Sequence, residues 1–158
     1  MDGKVLFVCT GNVYRSQVAE YLFNEMFTNI KAASAGLDGL HANKKVRDVW
    51  REKDMEDVGK ELERLGIRIL GNKCKLIKED DIAGARIVFV MDRKQKAELE
   101  RRFPKFRDRI KVLGEFANLK DPRIYDLPEE PSPRKTVEKN RKALEIIKKK
   151  KLIENRKE

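Results

Sequence analysis

The sequence predicts an α/β fold: a single domain on a four-stranded parallel sheet with helices on both faces. Three observations carry that expectation. Short apolar runs alternate with stretches of helical periodicity, which implies right-handed crossovers between parallel strands. The run "ARIVFVMD" at Ala85–Asp92 is continuously apolar, as in a strand covered on both faces. A chain of 158 residues is long enough to bury one core.

In order, Lys4–Val8 reads as a buried strand running into the loop "CTGN". From Ser16 the pattern turns helical, with Val18, Ala19, Leu22, Phe23, Met26 and Phe27 at three- and four-residue spacing. Lys31–Ala35 is a short strand closed by Gly36. Lys44 to Leu65 reads as one long charged helix, with Val46, Val49, Trp50, Val58, Leu62 and Leu65 inward, and "LGI" as its stop. After the strand at Ala85–Asp92, Lys94–Phe103 is a helix ending near Pro104, and Arg109–Gly114 a further strand. A stretch holding four of the five prolines then precedes a closing helix, Thr136–Ile153. The final "ENRKE" is expected to fray. One domain is expected over residues 1–158, with a basic C-terminal helix and tail from about residue 136.

Charged residues make up 41% of the chain and hydrophobic ones 40%, a folded domain with a charged surface rather than a disordered one. Of the net +10, the segment from Ser132 to Glu158 carries +7, from 11 Lys/Arg against 4 Asp/Glu. That basic excess is read as a solvated helix face. Nucleic acid is not an expected partner, since no nucleic-acid-binding motif accompanies the charge. "MDGKVLFVCT" opens acidic with an apolar run too short for a signal peptide, and no stretch is long enough to span a membrane. Two cysteines make no disulfide framework, so a cytoplasmic protein is expected.

Chemistry concentrates in "VLFVCTGNVYRSQVAE", Val5–Glu20. Cys9 ends a buried strand at its carboxyl end, where open α/β sheets hold their sites. The loop leads into a helix N-terminus, whose partial positive charge and free N–H groups suit an anion. Gly11 permits an anion-cradling turn, and Arg15 offers a bidentate fork for a tetrahedral oxyanion. The field that binds an anion also favours thiolate over thiol, and the Ser16 hydroxyl can donate to the sulfur. The loop thus reads as phosphate cradle and nucleophile together. No His or Cys spacing suggests a metal site. His41, the lone histidine, reads as a surface loop residue.

This stretch resembles the signature of the low-molecular-weight protein tyrosine phosphatases and of the arsenate reductases on the same scaffold. Supporting matches are "SAG" at Ser34–Gly36, "LGI" at Leu65–Ile67, "IVFVMD" at Ile87–Asp92 and "KVLGEF" at Lys111–Phe116. The resemblance implies a four-stranded parallel sheet, a phosphatase loop after the first strand, and a cysteinyl-phosphate mechanism with no cofactor. It assigns Cys9 as nucleophile and Arg15 to phosphate binding and transition-state stabilisation. Ser16 would steady the thiolate, and Asn12 would hold the loop. The backbone N–H groups of Thr10, Gly11, Asn12, Val13, Tyr14, Arg15 and Ser16 would contact phosphate. The implied substrate is a phosphorylated protein or small phosphomonoester.

The family's general acid is an aspartate in a late loop, and Asp121 and Asp126 both qualify. A following proline favours Asp121. Distance from the strand favours Asp126, which lies 13 residues beyond Leu113 against 8 for Asp121, and Asp126 is the choice. Departures from the family are also visible. Tyr14 replaces the cysteine that usually precedes the loop arginine, removing one route to a protective disulfide. Leu40 stands where an aromatic wall is usual, with Trp50, Tyr125 and Tyr14 as substitutes. Gln17 replaces a proline, as in the arsenate reductases. Those enzymes need a resolving cysteine, however, and Met91 occupies the usual place. Cys74, the only other thiol, reads as a buried small residue. An arsenate reductase and a non-catalytic basic binding module are the alternatives.

Overall fold

The computed structural model describes residues 3–153; the predicted frayed end, 154–158, lies outside them. Strands β1 (Lys4–Cys9), β2 (Ala32–Gly36), β3 (Ala85–Val90) and β4 (Ile110–Val112) form one parallel sheet in the order β2-β1-β3-β4. The chain moves from β1 to β2 on one side and then to β3 on the other. A topological switch point therefore falls at the carboxyl end of β1, where Cys9 sits.

Alternation along β1 divides the core in two. Val5, Phe7 and Cys9 face one side, packed with α1 (Arg15–Met26) and α7 (Pro133–Lys149). Leu6 and Val8 face the other, with Ile82 of α4 (Glu79–Ala83) and Leu99 of α5 (Arg93–Arg102). Both faces are covered, as the apolar strands require. On the first side Phe23 stacks on Phe27 with centroids 4.1 Å apart, and Phe7 packs between Phe23 and Phe89. Each such ring, fully buried, contributes about 1.5–3 kcal/mol. Among the described residues, no helix is long and apolar enough to cross a membrane.

The predicted long helix from Lys44 to Leu65 is two helices, α2 (Val46–Glu52) and α3 (Glu56–Arg64). The break is Asp54, in the left-handed region at φ 57°. Its N–H bonds to Arg51 O and that of Met55 to Trp50 O, a Schellman ending with aspartate where glycine is usual. The same motif ends α3, with Gly66 at φ 83°, and there the sequence marks the stop correctly.

The strand predicted at Arg109–Gly114 is only Ile110–Val112, because its partner β3 ends at Val90 and the last pair is Val90 with Val112. The chain then turns into α6 (Leu113–Phe116), where a Cβ on Gly114 would lie 2.0 Å from Pro122 O. Arg109 itself closes a 3₁₀ turn, Pro104–Arg109. Helix α7 starts three residues earlier than expected, capped by Ser132 with Pro133 in its first turn, and Ile153 is buried beyond its end.

Candidate active site

The loop from Cys9 to Ser16 joins β1 to α1, and a side-chain network holds it. Cys9 is buried, with Sγ 3.0 Å from Ser16 Oγ. Asn12, at φ 57°, donates through Nδ2 to Ser16 Oγ and to Ser34 Oγ, both at 2.9 Å. Ser34 in turn donates to Glu20 Oε1 at 2.5 Å. Because Ser16 accepts from Asn12, its own proton is free to point at Cys9, which a thiolate requires. Burial raises the Glu20 carboxyl above its ordinary range, against the Ser34 hydrogen bond. Ser34 belongs to the "SAG" match, but its link to Asn12 and Glu20 is not visible in sequence.

Arg15 is almost wholly buried and held from three directions. Nη1 donates to Ile124 O at 2.9 Å and lies 3.6 Å from Asp92 Oδ2. Nη2 lies 3.4 Å from Asp126 Oδ2. Nε is buried without a hydrogen-bond partner among the described residues, a donor left over for an oxyanion. Asp92 also caps α5 by accepting from Gln95 N at 2.9 Å, and Gln95 Nε2 donates to Thr10 Oγ1 at 3.2 Å. Asp92 and the Ile124 carbonyl were missed as site groups; "VMD" reads only as a strand end.

The structure separates the two candidate acids. Asp126 lines the cavity above Cys9, half-exposed. Asp121 lies outside it, with Oδ2 3.2 Å from Lys139 Nζ and Oδ1 accepting from Tyr125 OH at 3.4 Å. Desolvation is the largest single effect on Asp121 and works against its charge, but Lys139, with hydrogen bonds from Tyr125 and the Arg123 backbone, outweighs it and holds the carboxyl below its ordinary range.

The cavity measures about 430 Å³, with Cys9, Thr10, Gly11 and Arg15 at its base. Its wall is largely apolar, from Tyr14, Trp50, Leu40, Met55, Leu127 and Pro128, with Asp38, His41, Lys53 and Asp126 as the polar exceptions. Tyr14 and Trp50 meet edge to face at 5.7 Å and 87°. Burial pushes the Tyr14 phenol up to about 12, so it stays neutral. Tyr125 is not a wall; its ring lies under Arg123 and Lys139. His41, read as a surface residue, lines the cavity with Asp38 and Lys53. Burial, then Lys53 and Lys44, push its imidazole below its ordinary value, leaving it uncharged at neutral pH.

Comparison with known proteins gives the family. The model of the low molecular weight phosphotyrosine protein phosphatase family matches residues 4–155. The chain belongs to that family. Its relatives include the low molecular weight protein-tyrosine-phosphatase Ptp of Acinetobacter johnsonii, 27% identical over 77% of this chain and 81% of that one. A protein-arginine-phosphatase of Geobacillus stearothermophilus is 28% identical over 80% of this chain and 79% of its own length. The crystal structure of the low molecular weight protein tyrosine phosphatase from T. tengcongensis superposes with a TM-score of 0.70 at 28% identity, covering 94% of this chain and 99% of that one. A protein tyrosine phosphatase from Entamoeba histolytica shares the fold, with a TM-score of 0.79 at 22% identity over 95% and 96% of the two chains.

Within this low-molecular-weight phosphatase, "SAG" has a steric meaning. A Cβ on Gly36 would lie 2.9 Å from Gly11 C and 3.0 Å from Asn12 N and Thr10 O, all backbone of the loop. Gly36→Ala is expected to cost about 1–3 kcal/mol by overpacking and to shift the loop. Melting temperature and turnover should therefore fall together, measured by calorimetry and phosphomonoester hydrolysis. Tyr14 fills the place of the second loop cysteine, and Met91, fully buried, directly follows β3. Burial, with the charge of Cys9 adding to it, pushes the Cys74 thiol up to about 11.

Proposed function

We propose that this chain hydrolyses phosphotyrosine in proteins through a cysteinyl-phosphate intermediate. The observation that carries the reading is the placement of Cys9 Sγ at the base of an apolar-walled cavity, with Arg15 beside it and Asp126 near Arg15. The Cys9 thiolate attacks phosphorus, while Arg15 and the loop N–H groups from Thr10 to Ser16 bind the equatorial oxygens. Asp126 gives its proton to the departing phenolate. The same carboxylate then removes a proton from the water that attacks the thiophosphate, regenerating Cys9 and releasing phosphate. Side chains and loop N–H groups supply every step, so the reading calls for no cofactor.

Relatives include both tyrosine and arginine phosphatases by name, and the walls favour the first reading here. A phenyl ring gains from burial against Trp50 and Tyr14, whereas a phosphoguanidino group needs polar partners along its length. A cytoplasmic location fits two free cysteines, one of them a nucleophile. The reductase alternative lacks support, because the buried Cys74 thiol is a poor nucleophile at neutral pH and no other cysteine is present to resolve Cys9. We read the lysines of α7 as a solvated helix face rather than a nucleic-acid site.

The test is kcat/KM on a phosphotyrosyl peptide and on the matching phosphoarginyl peptide. We expect at least about tenfold preference for phosphotyrosine. Preference for phosphoarginine would overturn the substrate assignment and keep the mechanism. Arsenate reduction with an added thiol donor, and no phosphatase activity, would overturn both.

A further inference from the structure

Gln17 occupies the third position of α1, where a glutamine commonly reaches back to cap its own helix. Here it does not. No side chain caps the first turn of α1, and the Gln17 amide is buried and drawn sideways. Its Oε1 accepts from Asn72 Nδ2 at 3.1 Å, which fixes which way the amide faces. Nε2 then donates toward Asn12 O at 3.2 Å, Asn12 Oδ1 at 3.4 Å and Lys73 O at 3.4 Å.

We infer that Gln17 is a positioning residue for the phosphate loop, clipping segment 72–75 to Asn12 so that Ser16 stays aimed at Cys9. This rests on the cysteinyl-phosphate reading above. Asn12 is the loop's one left-handed residue, a conformation that asparagine tolerates and that its hydrogen bonds hold here. Its Nδ2 protons go to Ser16 and Ser34, and Oδ1 accepts from Lys75 N at 2.9 Å as well as from Gln17. Gln17 thus touches both the backbone and the side chain of the residue that sets the Ser16 proton. It also keeps its own amide away from the helix N–H groups that phosphate must reach.

Segment 72–75 has anchors of its own. Val46 N donates to Asn72 O, Cys74 N to Lys44 O, and Gly36 N to Lys75 O, at 2.8, 2.8 and 2.7 Å. Losing the Gln17 amide therefore loosens the loop without releasing the segment. The consequence belongs to catalysis more than to folding.

Gln17→Met keeps length and removes the amide. Two readouts apply: kcat with para-nitrophenyl phosphate, and the rate of Cys9 alkylation by iodoacetamide at pH 6, followed by mass spectrometry. We expect kcat to fall about tenfold with a smaller change in KM. Alkylation should slow about threefold, because thiolate loses the aligned Ser16 donor. A folded variant with wild-type kcat and alkylation rate overturns the inference, even if its melting temperature drops. If Gln17→Met does not fold, Asn72→Ala decides, since it frees the amide to rotate; unchanged rates there also overturn it. Should the wild type hydrolyse no phosphomonoester, the proposed function fails, while the alkylation comparison still tests the clip.

Discussion

Cys9→Ser is expected to lower kcat by at least about 10⁴-fold and to leave phosphate binding within a few fold of wild type. The two halves of that expectation have different physical sources. Turnover needs a nucleophile that is anionic near neutral pH, and a serine hydroxyl in the same place is not. The buried Ser16 hydroxyl, 3.0 Å away, stabilises a thiolate by donating one hydrogen bond, which is far too little to ionise an alcohol. In the proposed mechanism, binding depends instead on Arg15 and on the N–H groups of the loop. Those are held by Asn12, Asp92 and Ile124 O, none of which touches the Cys9 sulfur. Para-nitrophenyl phosphate hydrolysis and calorimetric titration with inorganic phosphate measure the two halves. Residual turnover above a hundredth of wild type would mean that Cys9 is not the nucleophile.

What could be read from the chain, and what could not, divides by the range of the interaction involved. The strand ending at Cys9 and the strand ending at Val90 are short apolar runs buried by their own composition; both start where expected, the first running one residue further and the second stopping two residues short. The first helix shows its periodicity from Val18 to Phe27. Features that depend on partners far along the chain were invisible. Arg15 is gripped by Asp92 and Ile124, Asn12 by Ser34 and Lys75, and no local pattern announces such pairs. The split of the helix between Glu52 and Glu56 failed for a different reason. An aspartate adopted the left-handed turn that glycine usually signals, so composition alone showed an unbroken charged run. The extent of β4 likewise depends on where β3 stops.

The choice between Asp121 and Asp126 joins both kinds of reasoning. Counting residues from the fourth strand favoured Asp126, while the following proline favoured Asp121. The structure puts Asp126 3.4 Å from Arg15 and ties Asp121 to Lys139 of α7, outside the cavity. Asp121 is also held below its ordinary carboxylate range, so it seldom carries a proton near neutral pH.

Asp126→Asn is accordingly expected to reduce kcat about 10²-fold or more, with the larger fall on a leaving group worse than para-nitrophenolate. Without a proton donor the leaving oxygen must depart as an anion, and the barrier then rises with its basicity. The same change should tighten inorganic phosphate. The Asp126 carboxylate lies close to the guanidinium that binds the anion, so replacing it removes a like charge and frees Arg15 Nη2. Slower turnover with stronger product binding is a combination that simple loss of structure does not give. Stability should barely move, because the Arg15–Asp126 pair is half-exposed on the carboxylate side and contributes about 1 kcal/mol or less. Asp121→Asn removes one partner of the partly buried Lys139, which keeps its bond to Arg123 O, and is expected to hold kcat within about twofold, as substitutions away from a site do. Measuring kcat for both variants on leaving groups of graded basicity, with phosphate inhibition alongside, decides the matter. A steeper dependence on leaving-group basicity in Asp121→Asn and not in Asp126→Asn would reassign the acid, and would require the loop to reorganise when substrate binds.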